Sequence, residues 1–271
     1  MDGQPVWVEA GAARLAVWQA GVGVPVVMMH AGVADSRMWR GQFAGLAQRA
    51  QVIAFDRRGF GRTAAADGEH TRVGDLLAVL DAVAPGRPAV LVGCSQGGRI
   101  AIDTALAHPG RVAGLVLIGS AVSGRPEVAP LPAMARLEAA IAVAEQAGDL
   151  GLLNALEAQL WLDGPTAPAG RVRGAVRALF LEMNGIALAA PDIGRVVAPP
   201  SAFDRLERVA APTLVAWGNL DCVDVIAYGE AIAARVPGAR RLVFPGTAHL
   251  PSMEAPEAVL AAILAAILGR V

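Results

Sequence analysis

Ser95 stands in Gly93-Cys94-Ser95-Gln96-Gly97-Gly98, where a short apolar run, Ala89-Val90-Leu91-Val92, gives way to a helical pattern over Gly98 to His108. A Gly-x-Ser-x-Gly element between a strand and a helix lifts a serine hydroxyl to the tip of a sharp, strained turn above the strand end. Close neighbours must be small there, and Gly93 and Gly97 carry no Cβ to clash, while Gly98 lets the helix pack tightly on the sheet. The helix N-terminus that follows favours negative charge developing nearby. The chemistry open to such a hydroxyl is acyl transfer, which needs a general base and a partner to orient that base. Cys94 is a rival nucleophile, but it lies on the strand side of the turn, where a small buried hydrophobe is expected.

Four histidines are available as the base. His30 ends an early apolar run, His70 lies in a polar loop, and His108 lies in Ala107-His108-Pro109-Gly110 at an exposed helix end. His249 follows the last strand-like run in Pro245-Gly246-Thr247-Ala248-His249-Leu250-Pro251, at the carboxyl edge of the sheet where open α/β folds bind ligands. It is the favoured base. The acid is expected from another strand end, and Val215-Ala216-Trp217-Gly218 runs into Asn219-Leu220-Asp221. Asp221 gives the chain order nucleophile, acid, base. Asp224 is its competitor, with an N-cap as its simpler explanation.

The elements that must hold these residues follow from hydrophobic patterning. Pro25 to Met29, Gln51 to Phe55, Ala89 to Val92 and Val112 to Ile118 are unbroken apolar runs, the form taken by strands buried on both faces. Helical patterns such as Val73 to Val83 separate them, so the sequence predicts an α/β fold with a mostly parallel sheet flanked by helices. The alternation stops after Ser120. Residues 123–205 hold no convincing strand, are bounded by Pro126, Pro130 and Pro132 and by Pro199 and Pro200, and contain helix-like stretches near 131–147, 149–161 and 171–189. They are expected to form a helical cap inserted into a core made of 1–122 and 206–271. The α/β rhythm resumes with strands at Thr213 to Trp217 and Arg240 to Phe244, a helix at Val225 to Val236, and a closing helix from about Ala255 to Leu268.

Composition narrows the class. A chain of 271 residues, 55% hydrophobic and 17% charged, builds a core without disulfides or metal. A net charge of −1 with no basic block argues against nucleic acid as a partner. There is no secretory pattern at Met1-Asp2-Gly3-Gln4-Pro5, and Ala258 to Leu268 is too short to span a bilayer. The expectation is a soluble cytoplasmic protein that engages neither nucleic acid nor membrane. No sequence pattern specifies an oligomeric state.

An oxyanion needs backbone N–H donors. One is expected from Gln96, directly after the serine, and a second from the loop after the 25–29 strand, His30-Ala31-Gly32-Val33. That loop, continued through Ala34-Asp35-Ser36-Arg37-Met38-Trp39, resembles the His-Gly oxyanion loop of α/β-hydrolases. Phe55-Asp56-Arg57-Arg58-Gly59-Phe60-Gly61-Arg62, the serine turn and Gly246-Thr247-Ala248-His249 resemble the same superfamily. The resemblance covers nearly all of the chain outside 123–205 and is greatest to the esterase, enol-lactonase and C–C-hydrolase group. It implies an eight-stranded sheet and a lid inserted after the sixth strand. It makes Gly32 the other oxyanion donor and His30 a brace for the loop, with no metal or organic cofactor. The family usually has Gly where this chain has Ala31, which bears on the donor geometry. In the implied strand order the 112–118 strand separates Cys94 from Cys222, about 9–10 Å at two strand spacings, beyond disulfide reach.

In the cap, Trp161, Met134, Phe180 and Met183 are candidates to line an apolar acyl pocket, and no cluster of arginines or lysines points to a charged substrate. Asp163 is expected in a turn. The expected activity is hydrolysis of small to medium carboxylic esters or lactones by Ser95, His249 and Asp221. Cleavage of a C–C bond in a vinylogous diketone uses the same groups, and a binding protein of this fold with little turnover is the alternative from another class.

Overall fold

The structure is a computed structural model and describes residues 3–269. Its strands, in chain order, are β1 (Val6–Ala10), β2 (Ala13–Ala20), β3 (Pro25–Met29), β4 (Gln51–Phe55), β5 (Ala64–Ala65), β6 (Ala89–Cys94), β7 (Val112–Ile118), β8 (Thr213–Gly218) and β9 (Arg240–Phe244). They form one sheet in the order β1-β2-β4-β3-β6-β7-β8-β9, with β5 paired to β2 off this path. From β4 to β9 every pairing is parallel, while β2 pairs antiparallel with both β1 and β4. The path therefore has the eight strands expected. β7 lies between β6 and β8, and Cys94 and Cys222 are both free and buried.

The apolar runs are continuous because both faces of the sheet are covered. Alternate side chains go to opposite layers. Val27, Met29, Ile53, Phe55, Leu91, Leu117 and Val215 pack in one layer with residues of α2 (Arg72–Val83), α3 (Gln96–Ala107) and α7 (Val223–Arg235). Val26, Met28, Val52, Ala54, Val92, Val116 and Ala216 pack in the other with α1 (Arg40–Ala47) and α9 (Pro256–Ile267). Polar residues enter where this double burial ends, so His30, Asp56, Ser95 and Asn219 all follow strand ends on the same carboxyl edge.

Between β7 and β8 the chain forms α4 (Pro132–Gln146), α5 (Leu150–Glu157), a π-helical turn (Ala158–Asp163) and α6 (Gly174–Leu188). The insertion follows the seventh strand only because the short β5 is counted. Asp163 organises it: its carboxylate is fully buried and accepts hydrogen bonds from the Gly170 and Val172 amides (2.8 and 2.9 Å) and from Arg177 Nη1 (2.8 Å). The insertion is tied to the core at several points. Arg37 pairs with Glu182, and a parallel β-bridge joins His70 to Val196. Among the described residues no helix is long and apolar enough to cross a membrane.

Candidate active site

Ser95 is the single residue between β6 and α3, with φ 53° and ψ −114°, and it is the only described non-glycine residue at positive φ. Such a conformation costs on the order of 1–3 kcal/mol and persists only when its surroundings enforce it. They do so here. The Ser95 amide donates to Ile118 O (3.0 Å), and its carbonyl accepts from the Arg99 and Ala121 amides (3.1 Å each). A Cβ at Gly93 would lie 2.4 Å from the Gly97 carbonyl group and the Gly98 nitrogen, so the turn closes only with glycine at that position. Cys94 points into the core, its thiol donating to His249 O at 3.5 Å, and burial pushes its ionisation up, which removes it as a nucleophile.

His249 lies between β9 and α8 (Pro251–Glu254) and is 2% exposed. Its Nδ1 is 2.9 Å from Asp221 Oδ2 and 3.1 Å from Oδ1. An N–H at Nδ1 donating to this carboxylate leaves Nε2 as the acceptor, the tautomer a general base requires. Asp221 Oδ1 also accepts from the Cys222 amide at 2.7 Å, which fixes the carboxylate. Ser95 and His249 face one cavity without being hydrogen-bonded to each other, a contact that commonly tightens only around substrate. Asp224 does not meet His249. It lies in the first turn of α7, whose N-cap is Cys222, so the cap expected at Asp224 is not formed; it faces Arg125 instead, at 3.7 Å.

Gly32 and Gln96 line the same cavity, and neither backbone N–H has an acceptor among the described residues. Ala31 is not at positive φ, so alanine in place of the usual glycine imposes no strain. The loop is braced from below. The Arg57 amide donates to His30 Nε2 (3.0 Å), which leaves the proton on Nδ1 to donate to Ala31 O (2.8 Å). Burial, then the Arg57 charge, holds His30 well below its ordinary pKa, so it is neutral. The Arg57 guanidinium donates to Ala31 O (3.0 Å) and to Gln96 Oε1 (2.9 Å) and lies over the Phe60 ring. Burial, followed by the nearby Arg72, pushes it down to about 9. Asp56 accepts the Ser36 and Arg62 amides (2.9 and 2.7 Å), and burial, followed by the Asp35 carboxylate, raises it to about 6. Arg58 makes a buried ion pair with Asp75 at 2.8 Å. The Asp-Arg-Arg segment is thus a scaffold under the candidate oxyanion loop.

The cavity above Ser95 has a volume of about 470 Å³. The insertion lines it through Arg125, Glu157 and Trp161, and Trp161 stacks obliquely on His249 with ring centroids 4.6 Å apart. The His249 amide donates to Trp161 O at 3.2 Å. Arg171 clamps the same region, donating to Leu162 O (2.8 Å), Asp163 O (2.7 Å) and Gly246 O (2.8 Å) and pairing with Glu254. Glu254 Oε1 in turn accepts the Ala248 amide at 2.9 Å. Among the described residues no three His, Cys, Asp or Glu side chains gather as a metal site.

The sequence profile of the alpha/beta hydrolase fold family matches residues 24–256. The chain belongs to that family. Among relatives of this α/β-hydrolase, a 2-hydroxymuconate semialdehyde hydrolase from Pseudomonas sp. (strain CF600) is 30% identical over 257 residues, 90% of this chain and 87% of the other. A thermophilic esterase from Thermogutta terrifontis superimposes with a TM-score of 0.76 at 28% identity, covering 97% of each chain. An N-acyl homoserine lactone degrading enzyme does so with a TM-score of 0.74 at 28% identity, over 96% of this chain and 99% of the other.

Of the pocket residues expected for this hydrolase, Trp161 lines the cavity and three do not. Met134 is packed with Leu160, Cys222 and Val225 in a small core of its own. Phe180 and Met183 are fully buried in the layer between sheet and insertion. The hydrolase also has what the sequence did not suggest, a set of cavity arginines: Arg72, Arg99 and Arg125 reach it from α2, α3 and the segment after β7. Gly119 was also missed. At φ +51°, it lies so close to the Asp221–His249 pair that a Cβ there would be 3.2 Å from both Asp221 Oδ2 and His249 Nδ1. A glycine ending an apolar run was its only signal.

Proposed function

We propose that this α/β-hydrolase cleaves small to medium carboxylic esters or lactones through an acyl-enzyme on Ser95. The observation that carries this reading is the strained Ser95 at the cavity floor, facing a histidine whose Nδ1 is bound by Asp221. Ser95 Oγ attacks the carbonyl carbon while His249 Nε2 takes the hydroxyl proton. The amides of Gly32 and Gln96 hold the oxyanion, each such donor being worth roughly 10²–10³ in rate. Collapse breaks the C–O bond, and His249 returns the proton to the departing alkoxide. Water then attacks the acyl carbon, gives its proton to His249, and the second collapse restores Ser95 and releases the acid. These steps call on no metal or organic cofactor. The insertion 123–205 serves as the lid, and Arg125, Glu157 and Trp161 are its contribution to the substrate chamber.

Replacing Ser95 by Ala is expected to lower turnover of short p-nitrophenyl esters by about 10⁴-fold or more with the fold intact. Undiminished turnover in a folded variant sinks the assignment. A second reading, hydrolysis of a C–C bond in a vinylogous diketone by the same residues, is favoured by the similarity to the 2-hydroxymuconate semialdehyde hydrolase. Parallel assays of esters and diketones separate the two. Failure of a fluorophosphonate probe to label Ser95 would instead support a binding protein of this fold.

A further inference from the structure

The three cavity arginines are not equally compensated. Arg125 faces Asp224 at 3.7 Å and lies over the Tyr228 ring at 4.1 Å. Arg99 has only a 3.7 Å approach of its Nε to Asp103 Oδ2, and Asp103 also accepts from Ser123 Oγ at 3.3 Å. Arg72 has no ion pair and no side-chain hydrogen bond among the described residues, although it is partly buried. Behind them Arg57, which borders a smaller cavity together with Arg72 and Gln96, is bonded to a carbonyl and an amide and to no carboxylate. Burial, followed by Arg99, pushes the Arg72 guanidinium down, and the Asp103 carboxylate only partly offsets this. The carboxylates near these cations are Asp103, shared between Arg72 and Arg99, and Asp224, which faces Arg125. Packing alone gives no reason to gather three cations in a concave site, because the hydration they lose is only partly replaced by long ion pairs.

We propose that Arg72 and Arg99 form an anion subsite that holds a carboxylate of the substrate beside Ser95, so that the preferred ester or lactone is anionic. This rests on the hydrolase reading above. Guanidinium groups suit a planar carboxylate because they donate two parallel hydrogen bonds to it. Glu157 and Asp224, which line the same cavity, disfavour a more highly charged ligand such as a phosphate dianion.

The test compares matched substrates. The p-nitrophenyl hemi-ester of glutarate against p-nitrophenyl valerate places the charge on the acyl side. 4-Butanoyloxybenzoate against phenyl butanoate places it on the leaving group. The native enzyme is expected to favour the anionic member of at least one pair by about 10- to 100-fold in kcat/KM, chiefly through KM. Arg72→Gln should lower that ratio at least about tenfold, Arg72→Lys should restore part of it, and added salt should erode it. Equal treatment of both members of both pairs, or a ratio unchanged in Arg72→Gln, overturns the subsite while Ser95 labelling by a fluorophosphonate leaves the hydrolase reading standing. If Ser95 is not labelled and no ester turns over, the hydrolase reading fails instead. The subsite is then decided by calorimetric titration with glutarate: binding lost in Arg72→Gln supports it, and absent or equal binding overturns it.

Discussion

The amide of His249 donates to the carbonyl oxygen of Trp161 at 3.2 Å, and the two rings stack with centroids 4.6 Å apart. A residue of the helical insertion thus fixes both backbone and side chain of the candidate base. The carbonyl is available because the helix loosens into a π-turn over Ala158–Asp163, a distortion often found at functional sites. Replacing Trp161 by Ala keeps the backbone bond and removes the ring. The expected result is a fall of about tenfold in kcat on p-nitrophenyl butyrate with a smaller change in KM, since a slightly misplaced base costs rate more than binding. Steady-state kinetics with an unchanged kcat would show that the ring does not position His249.

Asp221→Asn retains the shape of the acid but presents an amide to His249 Nδ1. If the amide nitrogen turns to the ring, Nδ1 becomes the acceptor and the proton moves to Nε2, where it blocks base catalysis. Turnover is expected to fall about 10⁴-fold without loss of fold. Asp224→Asn, which touches Arg125 and not His249, should cost at least a hundredfold less. Equal losses in the two variants, measured on the same ester, would refute the choice of Asp221.

Arg171 joins the insertion to the loop that carries His249, with Leu162, Asp163, Gly246 and Glu254 as its partners. Arg171→Met strands those acceptors, and Glu254 is largely buried. A loss of about 2–3 kcal/mol in urea unfolding is expected, together with faster proteolysis within 164–173. Unaltered stability and proteolysis would show that the clamp contributes little.

Asp56 gives a pH signature. Its carboxyl is raised to about 6 in the folded protein, above the ordinary unfolded value near 4. The folded state therefore binds this proton more tightly, and the associated stability is fully present below about 4 and lost as pH rises through about 6. Relative to Asp56→Asn, the native protein should lose on the order of 2 kcal/mol between pH 4 and 7. Denaturant titrations of both proteins across that range check this, and parallel pH curves would contradict it.

The central strands were legible because double burial leaves an unmistakable signature: Pro25–Met29, Gln51–Phe55 and Val112–Ile118 have the bounds expected from the sequence, as does the more exposed edge strand Arg240–Phe244. The serine turn was equally plain, since its motif is local, although only Gly93 is required by contacts within the turn, while Gly97 and Gly98 make room for Met29 and Ser120. The two N-terminal strands, antiparallel and at the sheet's edge, left no comparable apolar run. In the insertion, helical spacing marked Met134, Phe180 and Met183 as inward-facing without telling whether inward meant core or cavity. Arg72, Arg99 and Arg125 are separated along the chain and each follows an ordinary local pattern. Only the crossover connections of the sheet bring them together, and that convergence has no local trace.

Arg171 and the Trp161 carbonyl also limit how such proteins can be recombined. A helical insertion between two strands looks like an exchangeable cassette, free to carry new specificity onto an unchanged core. Here the cassette supplies part of the histidine's support. A chimera carrying a foreign insertion would inherit Ser95 and Asp221, but it would have to bring its own carbonyl and cation to settle His249.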